Sequence, residues 1–84
     1  MADIDYSKLR SLSARKIISA LLKDGFSFDR QTGSHEQYIH SDGRRVTVTY
    51  KGPGTTFPIG TLKRMIEDQA RWTGADLKRL KLIR

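Results

Sequence analysis

Cysteine is absent from this 84-residue chain, so neither a disulfide framework nor a thiolate metal site is available to it. Long apolar runs are missing as well. Nowhere do about 18 consecutive apolar residues occur, which excludes a membrane-spanning helix. The opening Met1-Ala2-Asp3-Ile4-Asp5 is acidic and has no apolar centre, so no signal peptide is expected, and the expected location is the cytoplasm. Histidine is scarce: His35 and His40 are the only two, and no carboxylate pair flanks them at a metal-ligand spacing. A zinc site or a two-metal nuclease centre is therefore not expected, and no cofactor is expected either. Acidic residues are the minority, nine against sixteen Lys and Arg, for a net charge of +7. That balance favours polyanionic partners, nucleic acid first and membrane surfaces second.

A chain of this length is one domain with a small core, burying only about 60% of its unfolded surface. Residues 1–11 carry no periodic signal and read as a loose lead-in. Ser13 then precedes Ala14 to Lys23, with Gly25 just beyond, so both ends of a helix are marked. Leu12 and Ile17 have the spacing of a hydrophobic staple, and Ala14, Ile17, Ile18, Leu21 and Leu22 form the stripe to be buried. Arg15, Lys16 and Lys23 lie off it. Phe26 to Arg30 alternates with period two, as a strand does. Thr32-Gly33-Ser34 reads as a turn, and Glu36–His40 and Arg44–Tyr50 flank Ser41-Asp42-Gly43 as a hairpin. Lys51 to Gly60, with three glycines and both prolines, is a loop; it lacks the Gly-Lys-Ser/Thr ending of a phosphate-binding loop. A second helix is expected from about Thr61, and Thr73 with Asp76 resembles a capping box opening a third, Ala75 to about Leu82. The order α-β-β-β-α-(α) describes an α+β domain: a three-stranded antiparallel sheet covered by helices on one face. Residues 12–70 form its body and 71–84 a helical extension packed on it.

Without a metal, a protein that cleaves RNA near neutral pH needs a group that titrates there, and histidine does so without special tuning. RNA brings its own nucleophile, the 2′-hydroxyl. His35 follows Gly33-Ser34 where a turn enters a strand, which suits a ligand better than a core; the plain alternative is an ordinary surface histidine. The hairpin register decides its face. A two-residue turn on Asp42-Gly43 pairs Ile39 with Val46 and sends His35 to the side of Val48 and Tyr50. A three-residue loop with Gly43 as the bulge residue pairs Tyr38 with Val46 and sends His35 outward with Arg45, Thr47 and Thr49. The second register is expected. His40, among polar residues at the hairpin tip, reads as structural.

Among the cations, Arg64 with Asp68 and Glu67 with Arg71 have i, i+4 spacing and are expected to neutralise each other. Arg44, Arg45, Lys51, Lys78, Arg79, Lys81 and Arg84 are the better phosphate candidates. Tyr38, Tyr50, Phe57 and Trp72 have the faces to stack on bases, with core packing the commoner role.

The helix, Gly25-Phe26, Arg30-Gln31-Thr32-Gly33-Ser34-His35, Asp42-Gly43-Arg44-Arg45-Val46-Thr47-Val48 and Pro58-Ile59-Gly60-Thr61-Leu62, in that order, resemble the HicA (YcfA-type) toxins over roughly residues 12–70. The resemblance implies a double-stranded-RNA-binding-domain-like fold and a ribosome-independent mRNA interferase acting on single-stranded mRNA. It also implies a HicB antitoxin that binds the toxin and blocks its active site. It makes His35 the catalytic residue, Gly33 the turn that presents it, and Ser34 its orienting or phosphate-binding neighbour. This chain departs from the family in having Glu36-Gln37 directly after that histidine. Tyr50-Lys51 stands where many members carry a further histidine, so Lys51 or Tyr50 becomes the candidate general acid. Two other readings stay open: a non-catalytic RNA-binding module, and a partner-binding protein whose basic surface serves an acidic antitoxin.

Overall fold

The computed structural model describes residues 4–83. Residues 1–3 of the expected lead-in and the phosphate candidate Arg84 lie outside that range. Helix α1 runs from Ala14 to Lys23, with the Ser13 hydroxyl accepting the Lys16 N–H at 3.4 Å as its N-cap. It ends in a Schellman closure. The Phe26 N–H bonds to the Leu21 carbonyl and the Gly25 N–H to that of Leu22, with Gly25 at φ +99°. Leu21 and Phe26, brought together by this closure, are both buried.

The sheet follows: β1 (Ser27–Thr32), β2 (His35–Ile39) and β3 (Arg45–Thr49), all antiparallel in the order β1-β2-β3. At the tip joining β2 and β3, the Gly43 N–H bonds to the His40 carbonyl and the His40 N–H to that of Arg44, with Gly43 at φ +98°. This is the three-residue loop with a glycine bulge, and it pairs Tyr38 with Val46 as expected. Tyr38, Val46 and Val48 are buried beneath the helices, while His35, paired with Thr49, lies on the open face.

Helix α2 (Ile59–Lys63) starts two residues earlier than expected and continues as a π-helical stretch, Arg64–Gln69. The wider winding has a packing reason. In a regular α-helix Ala70 would sit about 140° around from Met65, at 100° per residue. Here the Ala70 N–H bonds back to the Met65 carbonyl at 2.8 Å, and Met65, Ile66 and Ala70 are all buried. The same winding carries Gln69 to the outer edge of β3, where its side-chain carbonyl accepts the Thr47 N–H at 3.0 Å. The expected i, i+4 ion pairs on this helix do not form among the described residues, and Arg71 lies past the end of the π-helical stretch at φ +58°. Glu67 instead accepts the Tyr6 hydroxyl.

That contact also corrects the expected lead-in. Tyr6–Leu9 form a 3₁₀ turn capped by the Asp5 side chain, and Leu9 is fully buried. Four residues are too few to show periodicity, so the turn left no trace in the pattern. Helix α3 (Gly74–Arg79) opens on the full Thr73–Asp76 capping box and ends earlier than expected. Its Leu77, with Leu80 just beyond, joins the one core that also holds Leu9, Ile17, Val48 and Ile66.

Asp24 ties these elements together. Its carboxylate accepts from the buried Trp72 indole N–H at 2.9 Å and from Arg79 at 2.8 Å, and it faces Arg44 at 3.1 Å; its carbonyl pairs with His40 Nε2 at 2.9 Å. Burial pushes the Asp24 carboxyl up, but the Trp72 and Arg79 hydrogen bonds and the two guanidinium charges outweigh it and hold the group below its ordinary value of 3.8. A carboxyl depressed in the folded state stabilises the fold above its unfolded value, and that stabilisation is lost as pH falls through the lowered one. Asp24→Asn should therefore lower unfolding stability at pH 7 by about 2 kcal/mol, by removing the charge that Arg44 and Arg79 share and leaving Arg44 only Asp42 as a carboxylate partner. It should also flatten the acid limb of stability against pH, which urea unfolding between about pH 6 and 2 measures.

Candidate active site on the open face of the sheet

The β1–β2 connection is a two-residue turn, Gly33-Ser34, closed by the Thr32–His35 pair. Gly33 is at φ +60° and Ser34 is not at positive φ, the pattern of a type II′ hairpin with glycine first. The Gln31 side-chain amide donates to the Gly33 carbonyl at 3.0 Å, and the Tyr50 N–H bonds to the Ser34 carbonyl at 2.6 Å. Both sides of the turn are thus braced, and His35 leaves it at a fixed position. Its ring is exposed and makes no side-chain hydrogen bond or ion pair among the described residues.

His40 differs at every point. It is half-buried, with Nδ1 accepting the Asp42 N–H at 3.1 Å and Nε2 on the Asp24 carbonyl. Its ring meets Phe26 edge-on at 5.0 Å and fills the space where a Cβ on Gly25 would stand, 2.9 Å from Nε2. Every polar atom of this ring is occupied, so it serves the fold.

The open face carries Thr32, His35, Gln37, Arg45, Thr47 and Thr49 together with Arg30. Simple alternation from Phe26 would have placed Arg30 with Phe28, on the helix side. The register shift between Phe28 and Arg30 resets the phase, so Phe28 pairs with Tyr38 and Arg30 with Gln37. No residue type in the sequence marks that bulge, so Arg30 was not among the expected site residues. Arg45 leans along this face, bonding Gln37 Oε1 at 2.6 Å and Asp29 at 2.9 Å. Arg45's hydrogen bond, then Arg30's, hold the Asp29 carboxyl below its ordinary value.

The other expected site residues divide by position. Lys51 is exposed and follows Tyr50, whose N–H bonds the turn, so it belongs to the His35 corner. Tyr50 itself packs against the core, away from the His35 face. Arg44 and Arg79 are spent on Asp24, and Arg44 further holds Asp42, the Ala70 carbonyl and the face of Phe26. Lys78 and Lys81 are exposed and flank in sequence Arg79, which meets Arg44 of the hairpin tip at Asp24. Five strand residues at about 3.3 Å each separate that tip from His35, roughly 16 Å. Tyr38, Phe57 and Trp72 are buried and offer no stacking face. Among the described residues no three His, Asp or Glu side chains gather as a metal site would need, and no helix is long and apolar enough to cross a membrane.

A family model described as HicA toxin of bacterial toxin-antitoxin matches residues 14–71, more than half of the chain. No curated protein matches it. The matched span takes in α1, the sheet, the β1–β2 turn with His35, and α2 with its π-helical continuation.

The contrast between the two histidines is measurable. His35→Ala should leave unfolding stability within about 0.5 kcal/mol of the parent, as exposed substitutions do. His40→Ala should cost about 1–2 kcal/mol, from its lost hydrogen bonds and the orphaned Asp42 N–H. Equal effects in denaturant unfolding would mean that the two rings are not divided in this way.

Proposed function

The chain belongs to the HicA toxin family of bacterial toxin–antitoxin systems, and from that premise we propose that it is a metal-independent endoribonuclease that cleaves mRNA, with His35 as its general base. An antitoxin partner is implied by the family; we take it to be a HicB protein that covers the open face. The observation that carries the reading is the free, solvent-facing ring of His35 at a doubly braced turn, in contrast to His40 at the far end of β2, whose ring is fully engaged.

In the proposed reaction an unprotonated ring nitrogen of His35 takes the proton of a 2′-hydroxyl. The 2′-oxygen attacks the adjacent phosphorus, the O2′–P bond forms and the P–O5′ bond breaks. The leaving 5′-oxygen collects a proton, for which Lys51 is the candidate donor at that corner, and Tyr50 is not, because it packs against the core. Arg30 and Arg45 line the same face with positive charge to offset what develops on the phosphoryl oxygens. Gly33 sets the turn by its left-handed φ, and Ser34 holds it to the end of β3 through its carbonyl. A cytoplasmic setting agrees with such a target.

The test is purified protein with single-stranded RNA in excess EDTA. Cleavage should leave 2′,3′-cyclic phosphate and 5′-hydroxyl ends, and His35→Ala should lower the rate by about 10²–10⁴-fold, the usual share of a general base. Lys51→Ala should lower kcat by a smaller factor. Ends bearing 5′-phosphate, or loss of activity in EDTA, would overturn the mechanism; binding without cleavage would favour an RNA-binding module.

A further inference from the structure

Between α1 and the Lys51–Pro58 loop lies an open groove of about 520 Å³, lined by Ser13, Arg15, Lys16 and Ser19 of α1 and its cap and by Pro53 and Gly54. The groove is open to solvent along its length, as a surface that tracks a strand's backbone must be. Backbone hydrogen bonds fix its walls: the Ala14 N–H bonds to the Thr55 carbonyl at 2.7 Å and the Arg15 N–H to that of Pro53 at 3.2 Å. The first N–H groups of α1 are thereby occupied, so any attraction for an anion comes from side chains. Arg15 and Lys16 are both exposed, and neither is in an ion pair among the described residues, whereas Arg30, Arg44, Arg45 and Arg79 all are.

The lack of carboxylates extends further. No Asp or Glu occurs anywhere in residues 6–23 or 43–66, the two stretches that build α1, β3, the loop and α2. The same loop touches both places, since Tyr50 bonds the turn bearing His35 while Pro53 bonds Arg15. Three residues span at most about 10 Å. A strand that leaves Arg30, Arg45 and His35 on the open face toward this loop therefore meets Lys51 and then the groove as its next positive ground.

We infer that the Arg15–Lys16 groove is a second phosphate site, which holds the single-stranded RNA backbone beside the phosphate cleaved at His35. Arg15 and Lys16 supply the charge, and the Ser13 and Ser19 hydroxyls supply donors to the phosphate oxygens. The inference rests on the reading of His35 as the cleavage centre, but its test does not depend on cleavage.

The test uses the full chain carrying His35→Ala, titrated with a short single-stranded RNA over a salt series. Adding Arg15→Gln and Lys16→Gln should reduce the slope of log K against log salt by about 1.4, at about 0.7 per phosphate contact. At 0.1 M salt the same two contacts correspond to about 25-fold in affinity. The equal charge change Lys78→Gln with Lys81→Gln should cost clearly less. An unchanged slope, an equal loss from both pairs, or no RNA binding by the parent chain overturns the groove. In the chain with His35 intact, the groove substitutions should raise KM and leave kcat within about twofold. If that chain fails to cleave RNA while the binding loss appears, the groove stands and the nuclease reading falls; cleavage with unaltered binding and KM does the reverse.

Discussion

One carboxylate holds the tertiary arrangement. Asp24 ends α1, and the groups that converge on it come from the hairpin tip, from Trp72 and from α3, up to 55 residues away. Taking a carboxylate out of water is costly, and two guanidiniums with an indole N–H offset that cost only if all arrive together. The arrangement is cooperative for that reason. It also fixes the orientation of the hairpin, because Arg44 sits on the last residue before β3 and His40 on the first after β2. Once the tip is anchored to Asp24, the far end of the same hairpin, with His35 and the β1–β2 turn, is left free of structural duty.

The cations follow the same division. Near Asp24 they are paired, and their charge is spent on the fold; Arg44 and Arg79, which look like phosphate ligands when read as letters, are examples. On the open face Arg45 and Arg30 share Asp29 but remain largely exposed. Around the Lys51–Pro58 loop the cations have no carboxylate in their own segments. The net charge of +7 is thus concentrated by the placement of nine acids more than by that of sixteen bases. Such one-sided fields attract a polyanion to one part of the surface.

The legible parts of the sequence were those in which local chemistry acts alone. Ser13 and Gly25 bound α1 because a cap needs only its own turn, and the Thr73–Asp76 box is equally local. Gly43 set the hairpin register, and with it the face of His35, because a bulge glycine obeys backbone sterics irrespective of what surrounds it. The rest depends on distant partners. The bulge near Asp29 arises where β1 meets β2, the π winding where Ala70 and Gln69 meet the sheet, and the Tyr6 turn where it meets Glu67. Arg71 shows the limit well: its i, i+4 spacing from Glu67 suits a continuing helix, but the helix ends at Gln69 and Arg71 turns away at φ +58°.

The two histidines show why stability and reactivity separate here. A ring that anchors a fold must have both nitrogens occupied, as His40 does, and its bonds then oppose any proton transfer to an outside group. A ring that acts as a base must keep a nitrogen open to solvent, so it contributes little to stability and depends on its neighbours for position. Gln31 and Tyr50 provide that position through the backbone of Gly33 and Ser34, without touching the ring. The open face leaves His35 accessible to a large substrate, and by the same geometry a partner that covers β2 and its turn would close the site without reaching the core.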